Sequence, residues 1–114
     1  MNDPRRRNPR KRPQGALEVT DALTGEVVGR LGDLSPDGMM LIAHAPITED
    51  ALYQFAFQLP DATGHPQRME VGVHEAWSQQ ASSDGLRWVG FRFIDLSAEA
   101  RREIARWLAA PGAP

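Results

Sequence analysis

An all-β domain with one C-terminal helix, built as a six-stranded antiparallel β-barrel, is the fold class the sequence predicts. Three observations carry the prediction. Six short apolar or alternating runs of strand length are separated by turn residues. Several of them alternate apolar and polar residues, as strands buried on one face do. Only the last segment changes to a helical period, and six short strands without such helices between them favour closure over exposed sheet edges.

The elements follow in order. Ala16-Leu17-Glu18-Val19-Thr20 alternates as a half-buried strand, and Asp21 to Gly25 supplies a turn. Val27 to Leu31 and Met39 to Ala43 are the second and third strands, joined by Asp33-Leu34-Ser35-Pro36-Asp37-Gly38. Ala45-Pro46 ends the third, because proline removes a ladder donor. Leu52 to Leu59 puts Tyr53, Phe55, Phe57 and Leu59 on one face and Gln54 and Gln58 on the other. An aromatic row can be a base-stacking platform, but alternation with glutamine reads as a core face. Met69, Val71 and Val73 form the fifth strand, running toward Trp77 at its end. After Ser82-Ser83-Asp84-Gly85, Arg87 to Ile94 places Val89, Phe91 and Phe93 on one face. Asp95-Leu96-Ser97 offers N-cap chemistry, and Ala100, Ile104, Trp107 and Leu108 share one helical face, which makes Trp107 an anchor.

At 114 residues, with 41% hydrophobic and 25% charged residues, the chain has ordinary globular composition and length for one core. No run approaches the roughly 20 apolar residues of a membrane-spanning helix. The N-terminus lacks the apolar segment of a signal peptide, so a cytoplasmic location is expected. Without cysteine there is no disulfide or thiol chemistry, and His44, His65 and His74 show no metal-ligand spacing. No serine, histidine and acid stand in a nucleophile setting, the carboxylates are scattered, and no Gly-rich phosphate loop precedes a helix. The expectation is a binding domain with neither catalytic residues nor cofactor.

The net charge of -2 hides an asymmetry. Arg5, Arg6, Arg7, Arg10, Lys11 and Arg12 place six of the thirteen basic residues in the first twelve positions, opposed only by Asp3. The remainder has seven basic and fourteen acidic residues. A basic arm on an acidic body suits an anionic partner, although solvated charge reads the same way. Asn2 to Gly15 carries no large apolar side chain, so residues 1–15 are expected to form a mobile arm and residues 16–110 the barrel with its helix.

Within the connection between the second and third strands, Asp33 and Ser35 stand two apart, and Gly38 allows close approach to the backbone. Taken alone, this is ordinary turn chemistry. Together with the arm it resembles the PilZ domain, the bacterial receptor module for cyclic di-GMP. Arg6 and Arg10 match that family's Arg-x-x-x-Arg, and Asp33, Ser35 and Gly38 match its (Asp/Asn)-x-Ser-x-x-Gly. The strand-rich middle and final helix extend the resemblance over nearly the whole chain.

The resemblance implies a cyclic di-GMP receptor in which Arg6 and Arg10 hold phosphate or guanine. Asp33 would accept from the guanine N1–H and N2 amino edge, Ser35 would hydrogen-bond alongside, and Gly38 would be structural. Arg5 and Arg7 could hold a second nucleotide or be solvated, and Lys11 and Arg12 read as solvated. Trp77 could stack on guanine or be a rim or core residue. A downstream protein partner is expected, with no nucleic-acid partner. Two other functions fit the sequence: a PilZ-like interaction module without a nucleotide, and a small barrel binding nucleic acid through its basic arm. The acidic body weighs against the latter.

Overall fold

The computed structural model of the chain describes residues 10–81 and 84–111. Six strands, β1 (Glu18–Asp21), β2 (Val27–Leu34), β3 (Gly38–Ala43), β4 (Leu52–Pro60), β5 (Pro66–Gln80) and β6 (Arg87–Asp95), precede one helix, α1 (Ala98–Ala109). The strands close into an antiparallel barrel in the order β1-β2-β3-β6-β5-β4. The pairs Thr20↔Ala56 and Asp21↔Phe55 seal β1 to β4. The expected fold class is therefore the observed one.

Alternation builds the core. Leu31 faces Leu41, which faces Val89, and all three are buried. Phe55 is fully buried, and its ring meets Phe91 edge-on at a centroid distance of 5.0 Å. Burial of such a side chain contributes roughly 1.5–3 kcal/mol. One carboxylate lies inside with its partners: Glu75 accepts from the Asp50 backbone N–H and the Ser78 hydroxyl, each at 2.8 Å. In the β4–β5 turn, Asp61 accepts from the Thr63 hydroxyl at 2.7 Å and from the Thr63 and His65 amides. The Thr63 hydroxyl is the main reason its pKa falls from 3.8 to about 2.

The helix starts where expected. Ser97 is the N-cap, and its hydroxyl accepts from the Ala100 N–H at 3.0 Å. Ala100, Ile104 and Trp107 are buried against the barrel, so Trp107 is the anchor the periodicity implies.

Three features depart from the sequence reading. β2 continues through Asp33 and Leu34, leaving a tighter connection before Gly38. β5 runs for 15 residues, well past Val73, so Trp77 lies inside the strand rather than at its end. The register shift between Glu75 and Trp77 breaks the two-residue period there and hides the continuation. Lys11 is not a solvated charge. Its backbone forms a two-way bridge with Leu34, both bonds at 2.9 Å, and its ammonium donates to the carbonyls of Trp107 and Ala110 at 2.6 and 2.9 Å. The arm, expected to be unanchored throughout residues 1–15, is thus tied to the barrel at Lys11.

Candidate functional site

Two bulges organise the outer face of β2, β3, β6 and β5. On β2, Leu31 pairs with Leu41 and points inward. Strict alternation would send Asp33 inward too. The register instead shifts between Leu31 and Asp33, with Gly32 as the extra residue, so Asp33 pairs with Met40 and emerges outside. On β5 the same device recurs. Glu75 pairs with Phe91 and is buried, the register shifts at Ala76, and Trp77 pairs with Gly90 on the outer face. Asp33, Met40, Gly90 and Trp77 then stand in one row across four strands. With neighbouring strands about 4.8 Å apart, the row spans roughly 14 Å.

Each end of the row has its own character. Asp33 is largely covered, and its Oδ1 accepts from Arg10 Nη1 at 2.8 Å. Residues 23 positions apart are thereby joined, one from each motif. Trp77 is 40% exposed and lies across Gly90, whose missing side chain makes room for the indole. Trp88, also 40% exposed, follows on the same face beside Ile42 in the next row. Arg92 pairs with Gly38 on the other side.

The connection itself is a serine-closed turn. Ser35 is buried. Its Oγ accepts from the amides of Asp37 and Gly38 at 3.3 and 3.2 Å and donates to the Gly38 carbonyl at 3.3 Å. One hydroxyl has one proton and two lone pairs, so these bonds use its whole capacity. Ser35 thus holds the turn that presents Asp33. Gly38 is required by packing. A Cβ there would stand 2.1 Å from the Phe91 carbonyl oxygen, so glycine is what lets β3 approach β6.

The structure thus brings Arg10, Asp33, Ser35, Gly38 and Trp77 to one region. Arg5, Arg6 and Arg7 lie outside the described residues. Sequence reasoning missed Lys11, Met40, Gly90 and Trp88. A signal for the last two was present: Val89, Phe91 and Phe93 inside imply Trp88, Gly90 and Arg92 outside, and glycine within a strand marks a close approach. Among the described residues no cluster of side chains could hold a metal ion, and no helix is long and apolar enough to cross a membrane.

The PilZ domain family model matches residues 4–110, and the chain belongs to that family. Solved structures agree in fold. The inhibitor of motility MotI/DgrA from Bacillus subtilis superposes with a TM-score of 0.70 at 10% identity, over 91% of this chain and 49% of that one. YcgR from Escherichia coli, in complex with c-di-GMP, gives 0.68 at 20% identity, over 91% and 44%. The MrkH–c-di-GMP complex from K. pneumonia gives 0.66 at 18%, over 90% and 50%. The chain thus spans about half the length of each of these proteins. No curated protein sequence matches it.

Proposed function

We propose that this domain is a cyclic di-GMP receptor whose ligand lies on the outer face of β2, β3, β6 and β5. The observation that carries the reading is the Arg10–Asp33 contact, because it joins the two motifs at one end of a row that Trp77 closes at the other. Arg6 and Arg10 would bind phosphate or guanine by forked, charge-assisted hydrogen bonds. Asp33 would read the donors on a guanine edge, with Ser35 and Gly38 holding it in place. Trp77 offers a π-face to a base, and Arg5 and Arg7 supply charge for a second nucleotide. The complexes of YcgR and MrkH with c-di-GMP support the ligand class.

Isothermal titration tests this. Cyclic di-GMP is expected to bind the whole chain, and Arg6→Ala and Arg10→Ala are each expected to weaken binding by about ten- to a hundredfold. Single-stranded DNA serves as the comparison, and binding of DNA alone would favour the nucleic-acid reading. Binding of neither would leave a PilZ-type interaction module. Unchanged affinity in both arginine variants would remove the arm from the site.

The output on this reading is a conformational change of the N-terminal arm, which a protein partner in the cytoplasm would distinguish. Its motivation is the composition of the arm from Asn2 to Pro9, basic and without large apolar side chains. Trypsin is expected to cut after Arg5, Arg6 and Arg7 more slowly once cyclic di-GMP saturates the protein. Equal cleavage rates with and without ligand would place the output elsewhere.

A further inference from the structure

The residue after Arg10 does something the motif does not account for. Arg10 and Lys11 are consecutive, and their side chains diverge. Arg10 reaches Asp33 on the outer face, whereas Lys11 reaches the C-terminal end of α1. There its ammonium meets the carbonyls of Trp107 and Ala110 and sits 4.4 Å from the centre of the Trp107 ring. The last carbonyls of a helix lack their regular amide partner four residues on, and that of Trp107 takes only a 3.3 Å bond from the Ala110 amide. They carry the helix's negative pole, so a cation is stabilising there. Trp107 is also the buried anchor of the helix. Between the two side chains runs the backbone bridge from Lys11 to Leu34, next to Asp33. One dipeptide therefore holds the candidate ligand site with one residue and the helix terminus with the next.

We infer that Lys11 is a positioning residue that couples the ligand site to the C-terminal turn of α1. The inference rests on the proposed ligand only for the direction of its effect on binding. With Lys11 clamped, the backbone that carries Arg10 is already placed beside Asp33, so a ligand engaging Arg10 meets a lower ordering cost. Coupling is reciprocal: if the clamp favours the ligand, the ligand favours the clamp by the same factor. The groove between arm, helix end and β4–β5 turn is the place where this would be felt. It holds about 890 Å³ and includes Lys11, Pro13, Trp107 and Ala110 in its wall. On its far side Arg106 donates to the Pro60 carbonyl at 2.6 Å. Loosening the helix end therefore changes the shape of the groove.

The experiment compares amide hydrogen exchange and cyclic di-GMP affinity in the whole chain, wild type against Lys11→Met, Lys11→Arg and Arg10→Ala. Methionine keeps an apolar stem over Trp107 and removes the charge. Without ligand, Lys11→Met is expected to speed exchange at Trp107 to Ala110 by about three- to thirtyfold, while Phe55 and Phe57 in the core stay protected. Arg10→Ala, which removes a hydrogen bond to Asp33 and not to the helix, is expected to speed the same amides, though less. Cyclic di-GMP is expected to slow them in the wild type. Its affinity is expected to fall about three- to thirtyfold in Lys11→Met and to be largely kept in Lys11→Arg. Exchange at the helix end unmoved by Arg10→Ala would overturn the coupling, as would equal or tighter binding by Lys11→Met. A wild type that binds no cyclic di-GMP would refute the ligand, and the ligand-free exchange comparison would still decide the coupling.

Discussion

Gly38→Ala is expected to destabilise the domain by roughly 2–4 kcal/mol, although it adds only one methyl group. The methyl has nowhere to go. Its carbon would stand 2.1 Å from the Phe91 carbonyl oxygen and 3.3 Å from the Arg92 Cα, and both belong to the backbone of β6. No rotamer change relieves a clash with backbone. The strands must part where Gly38 pairs with Arg92, which also loosens the Phe93 N–H bond to the Asp37 carbonyl, 2.8 Å long. The serine-closed turn depends on Gly38 as well, because the Ser35 amide and hydroxyl both donate to the Gly38 carbonyl. Thermal unfolding should show a midpoint lowered by roughly 10–20 °C. Gly90→Ala is the informative contrast. The atoms nearest its Cβ belong to the Trp77 indole, which is 40% exposed and can swing outward. That variant should lose about 1–2 kcal/mol and displace the aromatic end of the row. Equal midpoints for Gly38→Ala and wild type would show that β3 and β6 separate easily, and that the glycine is not a packing requirement.

How much was legible follows from where the two-residue period holds. Phe55, Phe57 and Leu59 alternate with no bulge among their pairings, and Val89 and Phe91 do so over the third strand, so their inward faces could be read directly. Ser97 and Ala100 announced the helix for a similarly local reason. The site is different, because Asp33 and Trp77 both reach the outer face through an extra residue. A bulge inverts the parity on which the reading depends. Gly32 is a residue type that marks bulges, but it follows the run read as the second strand, and Ala76 carries no such signal. The motif residues were found by their spacing instead. Spacing could not show that Ser35 is buried and spent on its own turn. Lys11 was misread because charge and a proline-rich neighbourhood argue for solvation, whereas its carbonyl partners lie 96 and 99 residues away.

Asp33→Ala is expected to cost cyclic di-GMP about ten- to a hundredfold in affinity and cyclic di-AMP clearly less, because only the guanine form loses its base reader. A carboxylate offers only acceptors. Guanine presents two adjacent donors, N1–H and the N2 amino group, that match its two oxygens, whereas adenine has an acceptor at N1. Toward the phosphates of either ligand the same carboxylate is repulsive, so the loss of its acceptors is felt by the guanine form alone. Arg10 complicates the exchange, since its guanidinium already occupies Oδ1 of Asp33 at 2.8 Å. The pair is partly exposed, with Arg10 at 43% and Asp33 at 13%, so the contact itself stabilises the fold modestly. Its larger effect is to hold Arg10 in place. Removing Asp33 therefore deletes the base reader and releases a phosphate binder, and the two losses should not add independently. A double-mutant cycle over Arg10→Ala and Asp33→Ala, read by titration, should show the combined loss falling short of the sum of the single losses. Equal losses of cyclic di-GMP and cyclic di-AMP in Asp33→Ala would mean that the residue only holds Arg10 and the turn, and that guanine is recognised elsewhere on the face.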